Sequence, residues 1–504
     1  MAARTKNDDK KLFDTFYNTI SLIGAFIAIL TFALILFLMF MEWLSPRSVP
    51  YLGVLTYIVL PVFLIMGLVL IPIGMWREHR RRVRGLGKQV LPKLDLNDPK
   101  HRRSTVVFLG ATAIFLFFTG LGTYRAYEFT DSVTFCGQIC HKVMEPEYTT
   151  YQISPHARVK CVECHVGPGA TWFVRSKLSG AYQVYATIFN TYDRPIPTPI
   201  RNLRPAQETC EQCHWPAKFY GNRQSLKIHY LNDEQNTRWK INLLVKIGGG
   251  TPESGYTSGI HWHMNIAHKI EYVALDEKRQ IIPWVRMTDR DGNVKIFKSI
   301  ENGFDDVALD TLEIRRMDCI DCHNRPSHQF KKPQIALNIL LETGKIDPSL
   351  PYIKATAMEA VDAAAEAESL EEAFQIIESG IREFYAEDYP ELLEQKGELI
   401  EQAIQEVKEM YRRNFFPEMR ANWKAYPENI GHLTAPGCYR CHDGLHQTEE
   451  GEIIRNDCNA CHLIIEQGDG KTVYQADLRG LEFKHPVDIE EAWKDTGCYE
   501  CHGE

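Results

Sequence analysis

The chain has 504 residues, of which 44% are hydrophobic, and its formal net charge at neutral pH is −8. The charge is unevenly distributed, because residues 1–104 carry 15 Lys and Arg against 7 Asp and Glu and so leave −16 for the remainder. An acidic remainder disfavours binding to nucleic acid and suits a partner with a positively charged docking patch.

Three apolar stretches near the N-terminus are long enough to cross a bilayer, which takes about 20 helical residues. They run from about residue 20 to 41, 52 to 76 and 105 to 124. The first is not expected to be a cleaved signal peptide, because its apolar core is too long and no small-x-small cleavage site follows it. None of the three contains a histidine, which disfavours a haem bound within the bilayer.

The basic residues around these stretches predict their orientation, since Lys and Arg in short loops stay in the cytoplasm. The N-terminus is basic, the first loop carries only Arg47, and the second loop carries ten basic residues from Arg77 to Arg103. The N-terminus and the second loop are therefore predicted to be cytoplasmic. Everything after the third stretch is expected on the other side of the membrane.

All 14 cysteines belong to Cys-Cys-His motifs, six with C-x-x-C-H spacing and one, C-G-Q-I-C-H, longer by one residue. Such a motif attaches haem c through two thioether bonds, and its histidine ligates the iron. Zinc sites or redox dithiols would not place a histidine after every pair. The sequence thus predicts seven covalently bound haem c groups. In chain order, as motifs one to seven, the cysteine pairs are Cys136/Cys140, Cys161/Cys164, Cys210/Cys213, Cys319/Cys322, Cys438/Cys441, Cys458/Cys461 and Cys498/Cys501.

The positions of the motifs predict the side of the membrane and the domain organisation. Bacteria attach c-type haem outside the cytoplasm, so we expect a multi-pass protein of the cytoplasmic (inner) membrane with its haem regions in the periplasm. The predicted fold is mainly α, with a loop-rich exported multihaem cytochrome c region. Its parts are a membrane domain (1–124), a tetrahaem domain (125–335) with a small antiparallel β insertion at about 239–300, a helical spacer (336–428) and a trihaem domain (429–504).

Histidines outside the motifs are candidates for the second axial ligand that a six-coordinate electron-transfer iron requires. The proximal ligands are expected to be His141, His165, His214, His323, His442, His462 and His502. The distal ligands are expected to be His156, His328, His432, His446 and His485, with at least one of His261, His263 and His268. His229 stays open.

The segment from Cys136 to His328 resembles the NapC/NirT/NrfH family of membrane-anchored tetrahaem quinol dehydrogenases. The similar stretches are C-G-Q-I-C-H-K-V-M-E-P-E-Y-T-T-Y-Q-I-S-P-H-A-R-V-K-C-V-E-C-H, R-S-K-L-S-G, C-E-Q-C-H and C-I-D-C-H-N-R-P-S-H. The resemblance implies that Met144 ligates the first haem in place of His141; a packing role for Met144 stays open. It also implies His328 as distal ligand of the second haem, His156 of the third, and a histidine of the run 261–268 of the fourth.

The same resemblance implies a quinol site near the first haem. Lys177 corresponds to the lysine that binds the quinol oxygen in the family. The family also has a carboxylate there, but no Asp or Glu occurs between Lys177 and Asp193, and Gln183 is the nearest polar residue in that register. The proton acceptor therefore stays open, with Glu145 and Glu147 as further candidates.

The whole chain resembles the larger seven-haem inner-membrane cytochromes of metal-respiring bacteria. This implies a quinol dehydrogenase (quinol:cytochrome c oxidoreductase) that takes electrons from menaquinol and passes them to a soluble periplasmic cytochrome c in anaerobic or extracellular respiration. A terminal reductase of nitrite or a related small acceptor is an alternative, although no C-x-x-C-K motif occurs. The second alternative is a haem-wire subunit, which only conducts electrons between haems and whose quinol site lies in another protein. A homo-oligomer is compatible with all of these readings.

Overall fold

The computed structural model describes residues 15–44, 56, 59–85, 95–139, 141–167, 170–200, 204–215, 219, 221–248, 259–264, 268–301, 309, 311–471, 473–475 and 479–503. The fold is mainly helical and contains two antiparallel sheets. The chain divides into two compact units, the first formed by Met1–Asp131 with Val166–Tyr182 and the second by Ser132–His165 with Gln183–Glu504.

The first unit contains long apolar helices, α1 (Thr19–Leu44), α2 (Leu60–Val83) and α3 (Pro99–Thr130). Among the described residues, two segments are long and apolar enough to cross a membrane, Thr19–Met39 of α1 and all of α2. The third predicted stretch lies within α3 but is not one of these two, so a third crossing stays a prediction. Of the second predicted stretch, residues 52–55, 57 and 58 lie outside the described residues.

Helices α1 and α2 pack closely because small residues face each other. A Cβ atom on Gly67 would lie 2.7 Å from the Ala28 backbone nitrogen and 2.8 Å from the Gly24 carbonyl oxygen. The Ser21 hydroxyl donates a 2.9 Å hydrogen bond to the Ile71 carbonyl of α2. Close backbone approach of this kind is how helices associate in a bilayer, where no hydrophobic effect draws them together. The opposite surfaces expose large apolar side chains such as Ile29 and Val62, which suit contact with lipid.

Short helices follow along the chain after a π-helical turn at Phe135–Ile139. They are α4 (His141–Gln152), α5 (Cys161–His165), α6 (Ala170–Phe189), α7 (Ala206–Cys210), α8 (Cys319–Cys322), α9 (Pro333–Glu342), α10 (Ile353–Ala363), α11 (Leu370–Asp388), α12 (Pro390–Gln395), α13 (Gly397–Asn414) and α14 (Cys498–His502). Several coincide with haem motifs, and α9 to α13 occupy the predicted spacer.

The strands form two sheets rather than the single β insertion expected at about 239–300. They are β1 (Asn222–Tyr230), β2 (Arg238–Lys246), β3 (Lys269–Val273), β4 (Trp284–Thr288), β5 (Val294–Ser299), β6 (Arg315–Arg316), β7 (His446–Gln447), β8 (His462–Gly468) and β9 (Val473–Gln475). One sheet has the order β1-β2-β8-β9 and the other β6-β3-β4-β5-β7. Strands from the C-terminal region thus cover the edges of β2 and β5, whose backbone groups would otherwise lack partners.

The spacer helices form the main hydrophobic core of the second unit. Ile377, Ile381 and Tyr385 recur every four residues along α11 and are fully buried, as are Ile400 and Ile404 on α13. This spacing places apolar side chains on one face of each helix, so the two helices pack face to face. The core extends to α9, α10 and the segment around Trp423 and Tyr426.

Polar contacts attach the β1–β2 hairpin to the spacer helices. The side-chain oxygen of Asn338 accepts a 2.9 Å hydrogen bond from the Tyr230 backbone, and Arg238 makes two 2.8 Å bonds to the Glu342 carboxylate. The Lys354 ammonium, which is buried, donates to the Tyr230 carbonyl. The haem-bearing regions and the spacer are therefore held together by side chains as well as by the core.

Lys354 predicts a pH dependence of stability. Burial lowers the pKa of its ammonium to about 8, whereas an unfolded lysine titrates near 10.4. Between those two pH values the unfolded chain binds more protons, so the free energy of unfolding rises with pH. Lys354→Met should remove up to roughly 3 kcal/mol of this rise. The measurement is the urea midpoint from circular dichroism at about pH 7.5 and pH 10. Lys345 is exposed, so Lys345→Met serves as the control. The prediction would be contradicted if the urea midpoint changed by the same amount between the two pH values in the wild type and in Lys354→Met.

Candidate functional site

Each haem motif from two to seven is folded as roughly one turn of helix. Motifs two, four and seven form α5, α8 and α14, motif three follows the end of α7, and motifs five and six contain 3-10 turns at Gly437–Arg440 and Cys458–Ala460. In motif four the His323 amide donates a 2.8 Å hydrogen bond to the Cys319 carbonyl, and His214 of motif three does the same to Cys210. Residues three and four apart share one side of a helical turn, so both thiols and the imidazole can reach one porphyrin.

Motif one has a wider turn. Its segment Phe135–Ile139 is π-helical, a form with one more residue per hydrogen-bonded ring than the α-helix. This accommodates the extra residue of C-G-Q-I-C-H. Gly137 is required there, because a Cβ atom would lie 2.2 Å from the Tyr148 ring. Cys140 and the side chain of His141 lie outside the described residues, whereas Met144 is half-buried on α4.

Six motif histidines each face a second histidine from elsewhere in the chain. The distances between their ring centroids are 6.3 Å for His165–His328, 6.1 Å for His214–His156, 6.4 Å for His323–His261, 5.7 Å for His442–His263, 6.3 Å for His462–His432 and 6.2 Å for His502–His485. Two imidazoles that share one metal ion, each through a nitrogen about 2.0 Å from it, have centroids about 6 Å apart. The six pairs therefore fit an iron between them.

Hydrogen bonds orient these rings. The Nδ1 atoms of five of the partner histidines and of one motif histidine lie 2.6–3.2 Å from backbone carbonyl oxygens: His156 from Pro326, His261 from Ile247, His263 from Ile260, His328 from Glu147, His485 from Val487 and His442 from Arg455. A carbonyl only accepts, so Nδ1 carries the proton and the Nε2 lone pair is left for a metal in each of these rings except His485, whose Nδ1 also lies 3.3 Å from the donating Val487 amide. The rings are thus held as neutral ligands.

Burial keeps several of the paired imidazoles neutral. It lowers the pKa of His263 and of His328 to about 4, and it also lowers the pKa of His165, His323 and the other paired rings for which a shift is resolved. A protonated imidazole has no lone pair to offer. At neutral pH these rings can therefore ligate iron without first losing a proton.

A large cavity accompanies the histidine pairs. It has a volume of about 3150 Å³ and is lined by residues of motifs two to seven. Pockets for a single small molecule occupy about 300–1,000 Å³, so this space suits several porphyrins in succession. The paired rings, the Nδ1 hydrogen bonds and the cavity together fit the haem groups that the motifs predict.

Cys501 of motif seven differs from the other members of its motif. Cys498 and His502 line the cavity, whereas Cys501 does not line it and is exposed on α14. Exposure alone does not account for the difference, because Cys438 of motif five is also exposed and yet lines the cavity. Cys161 of motif two does not line the cavity either, so the lining does not argue against haem attachment at Cys501. Attachment of haem through Cys501 stays a prediction from the C-x-x-C-H spacing, with a thioether bond at the outer edge of the site.

Consecutive motifs are neighbours in space, an order that the sequence did not predict. A thiol of each motif contacts a thiol of the next through a hydrogen bond, or lies close enough for its charge to raise the neighbour's pKa. The first kind comprises Cys136–Cys161 and Cys210–Cys319; the second comprises Cys164–Cys213, Cys322–Cys438, Cys438–Cys461 and Cys458–Cys498. The seven motifs therefore form an unbroken series in chain order.

His446 differs from its prediction as a distal ligand. It is 1% exposed, its Nε2 lies 2.7 Å from the Ile282 carbonyl oxygen, and its Nδ1 lies 2.9 Å from Oδ1 of Asp443. Both ring nitrogens are therefore used within the protein. The residue that faces His442 is instead His263, which the sequence offered only as one of three alternatives. The H-x-H spacing of His261 and His263 was the available signal for two ligands on one turn.

The remaining histidines have other surroundings. His268 packs on the Trp262 ring, with centroids 4.3 Å apart, while His261 and His263 of the same run face motif histidines. His229 lies on β1, where burial, together with the positive charges of the neighbouring Lys354 and His502, lowers its pKa to about 4. Neither residue is needed to complete the six pairs.

The residues predicted for a quinol site are not all described. Lys177 and Gln183 belong to α6, but the Lys177 side chain lies outside the described residues. Glu145 is exposed on α4. Glu147 is largely buried, with Oε1 3.4 Å from Arg325 and its pKa raised by burial. Its backbone carbonyl accepts from His328, which gives Glu147 a structural role.

The apolar N-terminal helices and the turns with paired histidines define a membrane-anchored multihaem cytochrome of the c type. The chain belongs to the NapC/NirT cytochrome c family, whose N-terminal region matches residues 98–198. It is also 46% identical over 488 residues to the cytochrome c-type protein ImcH of Geobacter sulfurreducens, with 96% of this chain and 95% of that protein aligned. Family membership implies covalently bound haem c and a role in electron transfer. No solved structure matches the chain.

The two alternatives at motif five can be separated by substitution. We expect His263→Ala to leave one iron per chain without its distal ligand, because His263 faces His442. The ferric protein should then gain one high-spin haem, measured by absorption and electron paramagnetic resonance spectra. His446→Gln is the matched control and should keep every haem low-spin, since both nitrogens of His446 bind protein atoms. A high-spin signal in His446→Gln and none in His263→Ala would reverse the assignment.

Proposed function

We propose that this protein is a membrane-bound quinol dehydrogenase. It oxidises menaquinol at the periplasmic face of the inner membrane and delivers the electrons through seven haem sites to a soluble periplasmic cytochrome c. The observation that carries the proposal is the series of motifs in chain order, six of them with a histidine pair, in a chain of the NapC/NirT family. Haem c supplies the one-electron redox couple at each site.

The histidine pairs favour electron conduction over catalysis at the iron. The ligands assigned on this basis are His165 with His328, His214 with His156, His323 with His261, His442 with His263, His462 with His432, and His502 with His485. Occupied axial positions exclude nitrite and similar acceptors from motifs two to seven. This argues against the terminal-reductase alternative.

Motif one is the proposed entry point for electrons. It differs from the others in its π-helical turn, and no second histidine is assigned to it. We assign its axial ligand to Met144 or His141, both on α4. A thioether ligand gives a higher reduction potential than a second imidazole, which suits the site that receives the first electron. In this proposal Lys177 binds the quinol oxygen, and Gln183 or Glu145 assists proton release.

The end of the chain is the proposed exit. Asp488, Glu490 and Asp495 are exposed in the segment that precedes motif seven and carries His485. Their negative charge suits a cytochrome with a basic docking face, and electrostatic attraction of this kind raises the association rate. The strongly acidic composition after residue 104 agrees with such a partner.

Lys177→Ala tests the quinol site. Loss of a charged hydrogen-bond donor to the quinol costs roughly 1.5–3 kcal/mol, so we expect reduction of the purified holoprotein by a menaquinol analogue to slow about tenfold or more. The measurement is stopped-flow absorbance of the reduced haems, with Lys471→Ala as a surface control and dithionite to verify full reduction. An unchanged rate in Lys177→Ala would refute the site. No reduction of the wild-type protein by quinol would favour the haem-wire alternative.

The proposed topology predicts reporter activities. Alkaline phosphatase is active only outside the cytoplasm, so fusions after Arg47 and after Thr130 should be active and a fusion after Lys88 inactive. The asymmetry of basic residues supports this orientation. Whole-cell phosphatase assays with matched immunoblots measure it. If α3 does not cross the membrane, the fusions after Lys88 and after Thr130 will have the same activity.

A further inference from the structure

Arg440 lies inside motif five and binds motif four. Its side chain is buried, and its Nε donates a 2.8 Å hydrogen bond to the Gly437 carbonyl at the start of the same turn. Its Nη2 donates at 2.7 Å to the carbonyl of Asp321, the residue before Cys322 in motif four. Its Nη1 donates at 2.7 Å to the Arg279 carbonyl. One guanidinium therefore joins two haem-attachment turns.

The acceptor at motif four is itself rigidly held. The Asp321 carboxylate, 1% exposed, accepts from the Tyr272 hydroxyl at 2.6 Å and from Arg279 and Arg315 at 3.0 Å each. Its carbonyl accepts a second bond from the Asn429 side chain at 3.0 Å, so both lone pairs of that oxygen are used. Arg440 thus attaches motif five to a fixed point rather than to a mobile loop.

The turn that carries the distal histidines makes the same connection. His261 faces His323 of motif four and His263 faces His442 of motif five, and both lie on the 3-10 turn Ile260–Met264. The two haem sites are therefore linked on the distal side by this turn and on the attachment side by Arg440.

The guanidinium of Arg440 binds backbone oxygens rather than a carboxylate. Its three hydrogen bonds go to carbonyl oxygens, and it forms no ion pair with a carboxylate of the described chain. Its positive charge acts on both motifs, since the guanidinium contacts the Gly437 carbonyl beside Cys438 and the Asp321 carbonyl beside Cys322. A positive charge beside an iron favours the reduced state, which carries one charge less.

We propose that Arg440 is a positioning residue for electron transfer between the haem sites of motifs four and five. It fixes the two attachment turns relative to each other and raises the reduction potential of both haems. The inference rests on the proposed function, in which electrons pass from motifs one to four into motifs five to seven. It concerns the junction between the family-like segment and the C-terminal region.

Potentiometric titration of the full holoprotein tests the charge. For a unit charge roughly 10 Å from an iron at an effective dielectric constant of about 20, the reduction equilibrium changes about tenfold. This is a shift of about 59 mV for a one-electron couple. We expect Arg440→Gln to lower two of the midpoints by this amount, and Arg440→Lys and Arg412→Gln, an exposed control on α13, to leave all of them in place. Unchanged midpoints in Arg440→Gln would overturn the electrostatic role.

Reduction kinetics test the positioning. After mixing with a menaquinol analogue, the early phase of haem reduction should keep its amplitude in Arg440→Gln and Arg440→Lys. The late phase of haem reduction should slow about tenfold, because neither glutamine nor lysine can make the three hydrogen bonds of the Arg440 guanidinium. A late phase at the wild-type rate in both variants would overturn the positioning role.

Two controls keep the tests independent. Haem content by pyridine haemochrome verifies folding, and if Arg440→Gln loses haem, Arg440→Lys alone decides the positioning role. If quinol reduces no haem in the wild type, the proposed function fails, whereas the titration with redox dyes still tests Arg440.

Discussion

The second unit depends on one constraint, the pairing of two imidazoles at motifs two to seven, with an Nδ1 of the pair beside a backbone carbonyl in five of these six motifs. The pairing joins residues far apart in the chain, such as His214 with His156 and His442 with His263. The carbonyls that orient these two pairs belong to Pro326 and Ile260. The loops that carry these carbonyls are thereby fixed, so much of the irregular chain is ordered by ligand geometry rather than by helix or strand.

Protein packing supplies what the haem sites do not. The β1–β2 hairpin is completed by β8, which begins at His462 of motif six, and β5 is paired with β7, which begins at His446. The spacer helices contribute a conventional apolar core and hold the hairpin through Asn338 and Lys354. Sheets and spacer therefore keep consecutive attachment turns close to each other.

The local features of the fold could be predicted because they depend on neighbouring residues. Haem attachment follows from C-x-x-C-H, the apolar helices α1 and α2 follow from composition, and the buried faces around Ile377 and Ile404 follow from helical spacing. Long-range pairing could not be derived this way. His446 looked suitable because it follows motif five closely, much as His328 follows motif four, but in the folded chain Ile282 and Asp443 occupy its nitrogens.

Other features lacked a readable signal. Strands β7 and β9 are two and three residues long, too short to show an alternation of apolar and polar residues. The sequence therefore did not reveal that C-terminal strands pair with the strands of the β insertion. The contacts of Asp321 and Arg440 were also hidden, because charged residues stand between the cysteines of three other motifs too and only burial distinguishes these two. The strand pairing and the contacts of these two residues depend on which distant segments of the chain pack together, and tertiary structure decides that.

The turn Ile260–Met264 has a consequence for how the molecule is made and divided. His263 is synthesised long before Cys438 and Cys441, so the site of motif five is assembled from an early and a late part of the chain. A fragment that ends before motif five would keep an unused ligand, and a fragment that begins after the spacer would lack one. The protein therefore cannot be cut at the spacer into two cytochromes that each hold a full set of ligands.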